Sequence, residues 1–320
     1  MKPQLEDGLL RPSRWQTFIY WLSNDDRYLG RNPLRSPRCM DPWRLVPFVG
    51  VHLGCLGVLW TGTSGFAVLL AVTMYISRMF FITAFYHRYF AHRAFESSRL
   101  LRFVFAVLGC TAGQRGPLWW ASHHRQHHIH SDTELDPHSP QTDSFWFSHL
   151  VWFLTRDAFS IRWAQIGDLR KVRELVWLER VDWLPLVAVA GLCFYIGDWA
   201  AVAHPEWQTH GWQTLVWGFF VSTTALYHAT YTINSLAHRF GRRRFDTPDH
   251  SRNNAALALL TLGEGWHNNH HRYPGAARQG FYWWELDLSY LGLRLLQMLG
   301  LVWNLRPVPR KIIEAGRSRR

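Results

Sequence analysis

The sequence predicts an all-α integral membrane protein: four transmembrane helices in two hairpins, beneath a helical cytoplasmic cap that holds a di-metal site. Three observations predict it. Four apolar stretches are long enough to span a bilayer, nearly all the basic residues lie in three other regions, and histidines cluster at four places on the basic side.

A helix needs about 20 apolar residues to cross a bilayer. The four stretches are about 43–61, 66–86, 183–203 and 212–233, joined in pairs by short connections at 62–65 and 204–211. Neither connection holds Lys or Arg, and none occurs from Val181 to Ala237. Nearly all the basic charge lies in 1–42, 87–180 and 238–320, so by the positive-inside rule those regions and both termini face the cytoplasm. The expected organisation is an N-terminal segment 1–42, a membrane domain 43–305 and a basic tail 306–320. Stretches 100–118 and 145–155 are apolar but interrupted or short, and read as amphipathic helices at the cytoplasmic interface. Residues 1–40 are polar and Arg-rich without an apolar h-region, so no cleavable signal peptide is expected. A soluble helical bundle is the competing reading; two separate hairpins obeying one charge rule argue against it.

Composition narrows the chemistry. Against 23 Asp+Glu stand 35 Lys+Arg, for a net charge of +12. Basic flanks beside spans meet an anionic inner leaflet and account for that charge, and no nucleic-acid-binding signature accompanies them. Cys39, Cys55, Cys110 and Cys193 are far apart and form no CxxC pair, so metal chemistry must rest on histidine.

The clusters are His87–His92 (HxxxxH), His124–His127–His128 (HxxHH), Asn234–His238 (NxxxH) and His267–His270–His271 (HxxHH). On a helix, residues at i, i+3 and i+4 share a face, so HxxHH presents three imidazoles together. With 18 histidines in 320 residues, two chance copies of HxxHH are on the order of one in a thousand. His87 and His92 are five apart and would diverge on a regular helix, so the helix is expected to end or distort there. Nine imidazoles exceed what one tetrahedral ion takes, and imidazole suits iron, copper, zinc or nickel; two metals are the natural count. Asp132, Asp136, Asp249 and Glu264 are available to take the second N–H of metal-bound rings. His123 and His130 flank the second cluster as competing ligands, His138 and His149 are candidates beside the metals or the substrate, and His52, His204, His210 and His228 read as packing or interfacial residues.

HRYFAH, HRQHH and HNNHH in this order, with NSLAH between the last two, resemble the boxes of membrane fatty acyl desaturases of the stearoyl-CoA type, including bacterial and plastid-like relatives. The resemblance runs from about Trp43 to Val302 and takes in WWASHHRQHHIHSDTELDPHSP and the text around HNNHH. It implies two irons, one held by His87, His92, His124, His128 and His270, the other by His127, His238, His267 and His271, with Asn234 acting through water. It further implies O2 as co-substrate, a cis double bond at Δ9 of a saturated acyl chain, and, for a bacterial-like member, the inner membrane. Where animal acyl-CoA enzymes have an Arg-Asp pair before the second box, this chain has Ser122-His123, which leaves CoA, acyl-carrier protein and glycerolipid open as carrier.

A tunnel for the acyl chain is expected between spans and cap, with Ala71, Tyr75, Trp119 and Trp120 as lining candidates and His149 near the substrate. Tyr75, about three turns before His87, is placed to close its far end. No haem, flavin or Fe–S motif is present, so electrons require an external donor such as a ferredoxin or a cytochrome b5-like protein. Arg239, Arg242, Arg243 and Arg244 could dock it or could be snorkelling arginines. A histidine-box hydroxylase is the rival enzyme. A metal transporter is the rival of another class, disfavoured because these histidines sit at span ends and not at the bilayer midplane.

Overall fold

The computed structural model describes residues 13–29, 38 and 40–317. Half of the 1–42 segment and the end of the tail lie outside the described residues. The described residues are mostly helical, with one two-residue antiparallel strand pair among them, β1 (Glu96–Ser97) with β2 (Val302–Trp303).

A short amphipathic helix α1 (Arg14–Leu22) opens the described chain, closed at its start by a Ser13–Gln16 capping box. α2 (Pro42–Thr61) and α3 (Gly65–Ala91) form a hairpin through a tight turn at Gly62, whose φ of 67° suits glycine. Asp41 caps α2 with Pro42 as its first residue, and Ser64 caps α3. The cap begins with α4 (Arg99–Cys110) and α5 (Pro117–His130). After a π-turn at Phe147–Val151, α6 (Arg173–Glu179) leads into α7 (Trp183–Ala203). Gly211–Leu215, Val216–Val221 and Ser222–Ser235 run on as one helix, α8, with a π-turn in its middle. α9 (Ala255–Leu260), α10 (His267–Arg272), α11 (Leu288–Met298) and α12 (Arg310–Arg317) complete the cap.

Three of these helices, α2, α3 and α7, are long and apolar enough to cross a membrane. α8 is helical over the whole stretch expected to span but falls short in hydropathy, because Gln213, Thr214, Ser222 and Thr223 punctuate it. Those groups are buried and spend their polarity inside the bundle. Gln213 accepts from Ser64 and donates to the Thr61 carbonyl, while Ser222 and Thr223 take N–H groups of Arg78. Arg78 itself is buried in α3, and its donors are otherwise met by the carbonyls of Met74 and Thr111.

Two local expectations change. The stretch 100–118 is not one helix: α4 stops at Cys110, and Pro117 starts α5 after a turn. The second span runs five residues past 86 to Ala91, carrying the first histidine cluster inside the helix. The largest core cluster lies where α3, α4, α5 and α8 meet, with Phe85 stacked on Phe105 at 3.9 Å and Leu118 and Leu226 fully enclosed.

Candidate metal centre

The four clusters converge where the spans meet the cap. HxxxxH works because α3 widens instead of ending. Phe81–Ala91 is π-helical, and the His92 N–H donates to the His87 carbonyl, five residues back, at 3.2 Å. A π-turn brings i and i+5 onto one side, and His87 and His92 rings lie 4.9 Å apart.

Five imidazoles, from His87, His92, His124, His128 and His270, place their ligand atoms within 4.8 Å of one another. Four more, from His127, His238, His267 and His271, do the same. Each HxxHH is therefore divided between the groups. His124 and His128, one turn apart on α5, face the first and His127 the second; on α10, His270 faces the first and His267 and His271 the second. His138 joins His127 and Asp136 in a third, smaller group.

The rings are held from behind. His127 Nδ1 donates to Asp136 at 3.0 Å, His238 Nδ1 to Asp132 at 3.0 Å and His271 Nδ1 to Asp249 at 2.8 Å, while Glu264 takes His87 Nδ1. Burial alone would raise Asp132, Asp136 and Asp249, but the hydrogen bonds and charge of their histidines hold all three below the usual carboxylate range. Burial first, then repulsion among neighbouring rings, holds His124, His128, His267 and His270 well below the ordinary imidazole value.

This donor set fits metal. A ring whose Nδ1–H is taken by a carboxylate turns a bare Nε2 lone pair inward. His127 and His271 are both in that state, and their Nε2 atoms face each other at 3.4 Å. Two lone pairs meeting in a buried space repel unless a cation lies between them, and His267, whose Nε2 lies 3.0 Å from His238 Nε2, has a buried Nδ1 with no partner.

Sequence reasoning missed Gln279 and the partners of Arg88. Gln279 is buried, with its amide 3.2 Å from both His87 Nδ1 and Glu264, and Arg88 is buried between Glu264 and Asp287. Gln279 sits in an irregular loop, where no periodicity marks it; Arg88, inside HRYFAH, was flanked by a signal. Arg239 and Arg243 donate to the Pro140 and Thr247 carbonyls, and Arg244 is ion-paired with Glu285 at 2.8 Å, so these charges serve the fold.

A cavity of about 330 Å³ borders the histidines and is walled by Trp119, Trp120 and Asn234 among others. Ala71, Tyr75 and His149 do not line it. The Tyr75 hydroxyl donates to the Leu260 carbonyl at 2.7 Å, Ala71 is buried a turn further down α3, and His149 is hydrogen-bonded to His228 and Ser235. His123 does line it, but its Nε2 faces the Ser160 carbonyl and it joins neither histidine group.

A family profile described as fatty acid desaturase matches residues 13–295. The chain is 37% identical over 278 residues to an acyl-CoA 5-desaturase of Anemone leveillei, covering 85% of this chain and 81% of that protein. It is 35% identical over 267 residues to the sn-1 stearoyl-lipid 9-desaturase of Anabaena variabilis, covering 82% and 93%. With delta-9 acyl-lipid desaturase 1 of Arabidopsis thaliana it shares 35% identity over 259 residues, 80% of each. The buried histidine groups beside an internal cavity thus have their counterpart in sequence, and the chain belongs to the fatty acid desaturase family, whose members are oxidoreductases.

Proposed function

We propose that this protein is an O2-dependent di-iron desaturase that introduces a cis double bond, at Δ9, into a saturated fatty acyl chain carried on CoA or a lipid. The observation that carries the reading is the pair of buried histidine groups with inward lone pairs, bordering a cavity walled by aromatic side chains. His87, His92, His124, His128 and His270 would hold one iron, and His127, His238, His267 and His271 the other, with Asn234 acting through water. Bound there, the irons would supply the oxidising power that an unactivated methylene requires.

The rest falls to the chain's own residues. Asp132, Asp136, Asp249 and Glu264 fix the orientation and tautomer of the rings in front of them and make their inward Nε2 atoms more basic. Trp119, Trp120 and Tyr231 line the cavity, hold an acyl chain beside the histidines and keep bulk water out. Gln114 donates to Thr230 across this wall at 2.7 Å, tying the segment before α5 to α8. The topology we infer is four spans, α2, α3, α7 and α8, in the bacterial inner membrane with termini and site cytoplasmic. α8 serves as a span because its polar groups are met inside the bundle. The electron donor is a separate ferredoxin or cytochrome b5-like protein.

The test is expression in a host lacking its own desaturase, with an electron donor supplied and gas chromatography of total fatty acids. A new cis monoene that is absent in His124→Ala and His270→Ala is the expected result. A hydroxylated chain would transfer the protein to the hydroxylases, and an unchanged lipid profile would sink the proposal.

A further inference from the structure

The cavity reaches well beyond the histidines, and its far part lies between two spans. α2 and α7 each pack on α8 rather than on one another, leaving a gap whose floor is α8. Pro47 and Val51 of α2 form one side, Trp183 and Leu186 of α7 the other, and Tyr227 and Tyr231 of α8 the back. Pro47 is exposed on the outer surface of α2, so this part of the cavity is open sideways. α1 crosses over the gap. Its Trp21 ring lies 6.0 Å from Trp43 at the start of α2, and Asn24, just beyond its end, donates to the Glu179 carbonyl ahead of α7 at 2.6 Å.

We propose that this gap is a lateral portal through which the acyl chain of a membrane glycerolipid slides from the bilayer to the metal centre, with α1 as its lintel. The inference rests on the acyl-desaturase reading and adds the carrier to it. Two observations select a glycerolipid. Both sides belong to helices long and apolar enough to cross the membrane, so what lies outside the gap is lipid hydrocarbon. The guanidiniums at the polar end of the cavity are already engaged within the fold. Arg44 and Arg115 face it, both over the Trp119 and Phe159 rings; Arg115 is ion-paired with Asp182 at 3.5 Å and Arg44 donates to the Thr155 carbonyl at 3.2 Å. Held this way they can turn an N–H to a neutral ester carbonyl but are poorly placed to take the several phosphates of a soluble CoA thioester.

The test uses the full chain in phospholipid vesicles, with two photoreactive probes: phosphatidylcholine bearing a diazirine on its stearoyl chain, and stearoyl-CoA bearing the same group. Mass spectrometry reads label on the interior segments 119–124, 227–234 and 261–264, without reductant, so that labelling does not depend on turnover. The lipid probe should label them, and Leu186→Trp or Val51→Trp should lower that label at least tenfold. Leu192→Trp, an equally bulky change on an exposed position of α7, should not. Metal content measured alongside shows that each variant folds. Interior label from the thioester alone, or lipid label unchanged in both portal variants, overturns the portal. Interior lipid label in a protein that forms no double bond would leave the portal standing and remove the desaturase reading.

Discussion

Asp249 shows how much rests on single carboxylates behind the rings. One oxygen takes His271 Nδ1–H at 2.8 Å, and the other takes the Ser251 N–H at 2.9 Å. In Asp249→Asn the amide oxygen stays with the Ser251 N–H, which turns the NH2 against another donor on His271. The ring must give way, and metal affinity should fall about tenfold to a hundredfold. Metal titration of the purified variant checks this; affinity within twofold of wild type would refute it. The four carboxylates were legible in sequence because their type and nearness to the boxes marked them. The pairing of each with a particular ring was not, since Asp132 lies 106 residues from His238. Glu179 is a residue of another kind. It accepts the N–H groups of Leu118 and Trp119 at the start of α5, and burial, then the charge of Asp182, pushes it up to about 8 from an ordinary 4.5. A carboxyl whose folded value is raised favours folding in its protonated form. Its contribution is full below about 4.5 and is lost as pH climbs to about 8. Glu179→Gln removes that loss, so its melting temperature relative to wild type should rise as pH climbs from 5 to 8; a difference that does not change with pH would contradict it.

At the scale of elements, the π-helical end of α3 converts a spacing of five into one face. Deleting Ala84, which is fully buried within the π stretch, should return the helix to α geometry, where His87 and His92, five residues apart, diverge by about 140°. The expected outcome is loss of metal from the first histidine group with helical content unchanged by circular dichroism. Full metal occupancy would show that the widened helix is not what aligns the pair. The five-residue spacing announced a distortion but could not say whether the helix ends or widens, because both relieve the same divergence. α8 was read from its apolar residues as one stretch, 212–233, and it is helical there. What the sequence did not show is that its polar residues are met by Arg78, Ser64 and the Thr61 carbonyl, 144–152 residues away. The tunnel candidates on α3, Ala71 and Tyr75, lie off the cavity lining, since helical phase locates a face and not how deep a cavity runs. Tyr75 is committed to Leu260 instead.

For the molecule as a whole, the histidine groups are a clasp. Their rings come from α3, α5, the turn after α8, and α10, so bound metal joins segments up to 183 residues apart. The clusters and their coming together were readable from spacing and charge; how the rings divide between two groups depends on the angle at which α5 and α10 meet, which no local pattern carries. The clasp has a consequence for pH. Burial and mutual repulsion keep His92, His124, His128, His267 and His270 well below the ordinary 6.5 in the folded chain. The unfolded chain takes up those protons near 6.5 and the folded chain does not, so metal-free protein keeps full stability above that pH and loses it as pH falls below. Bound metal holds the same lone pairs and adds stability of about 2.7 kcal/mol when present at about a hundred times its dissociation constant. Melting curves of chelator-treated protein in detergent should therefore fall steadily from pH 7 to 5 and lie below those of the metal-loaded form. Coincident curves would mean that the nine rings close into the same arrangement without needing a cation between them.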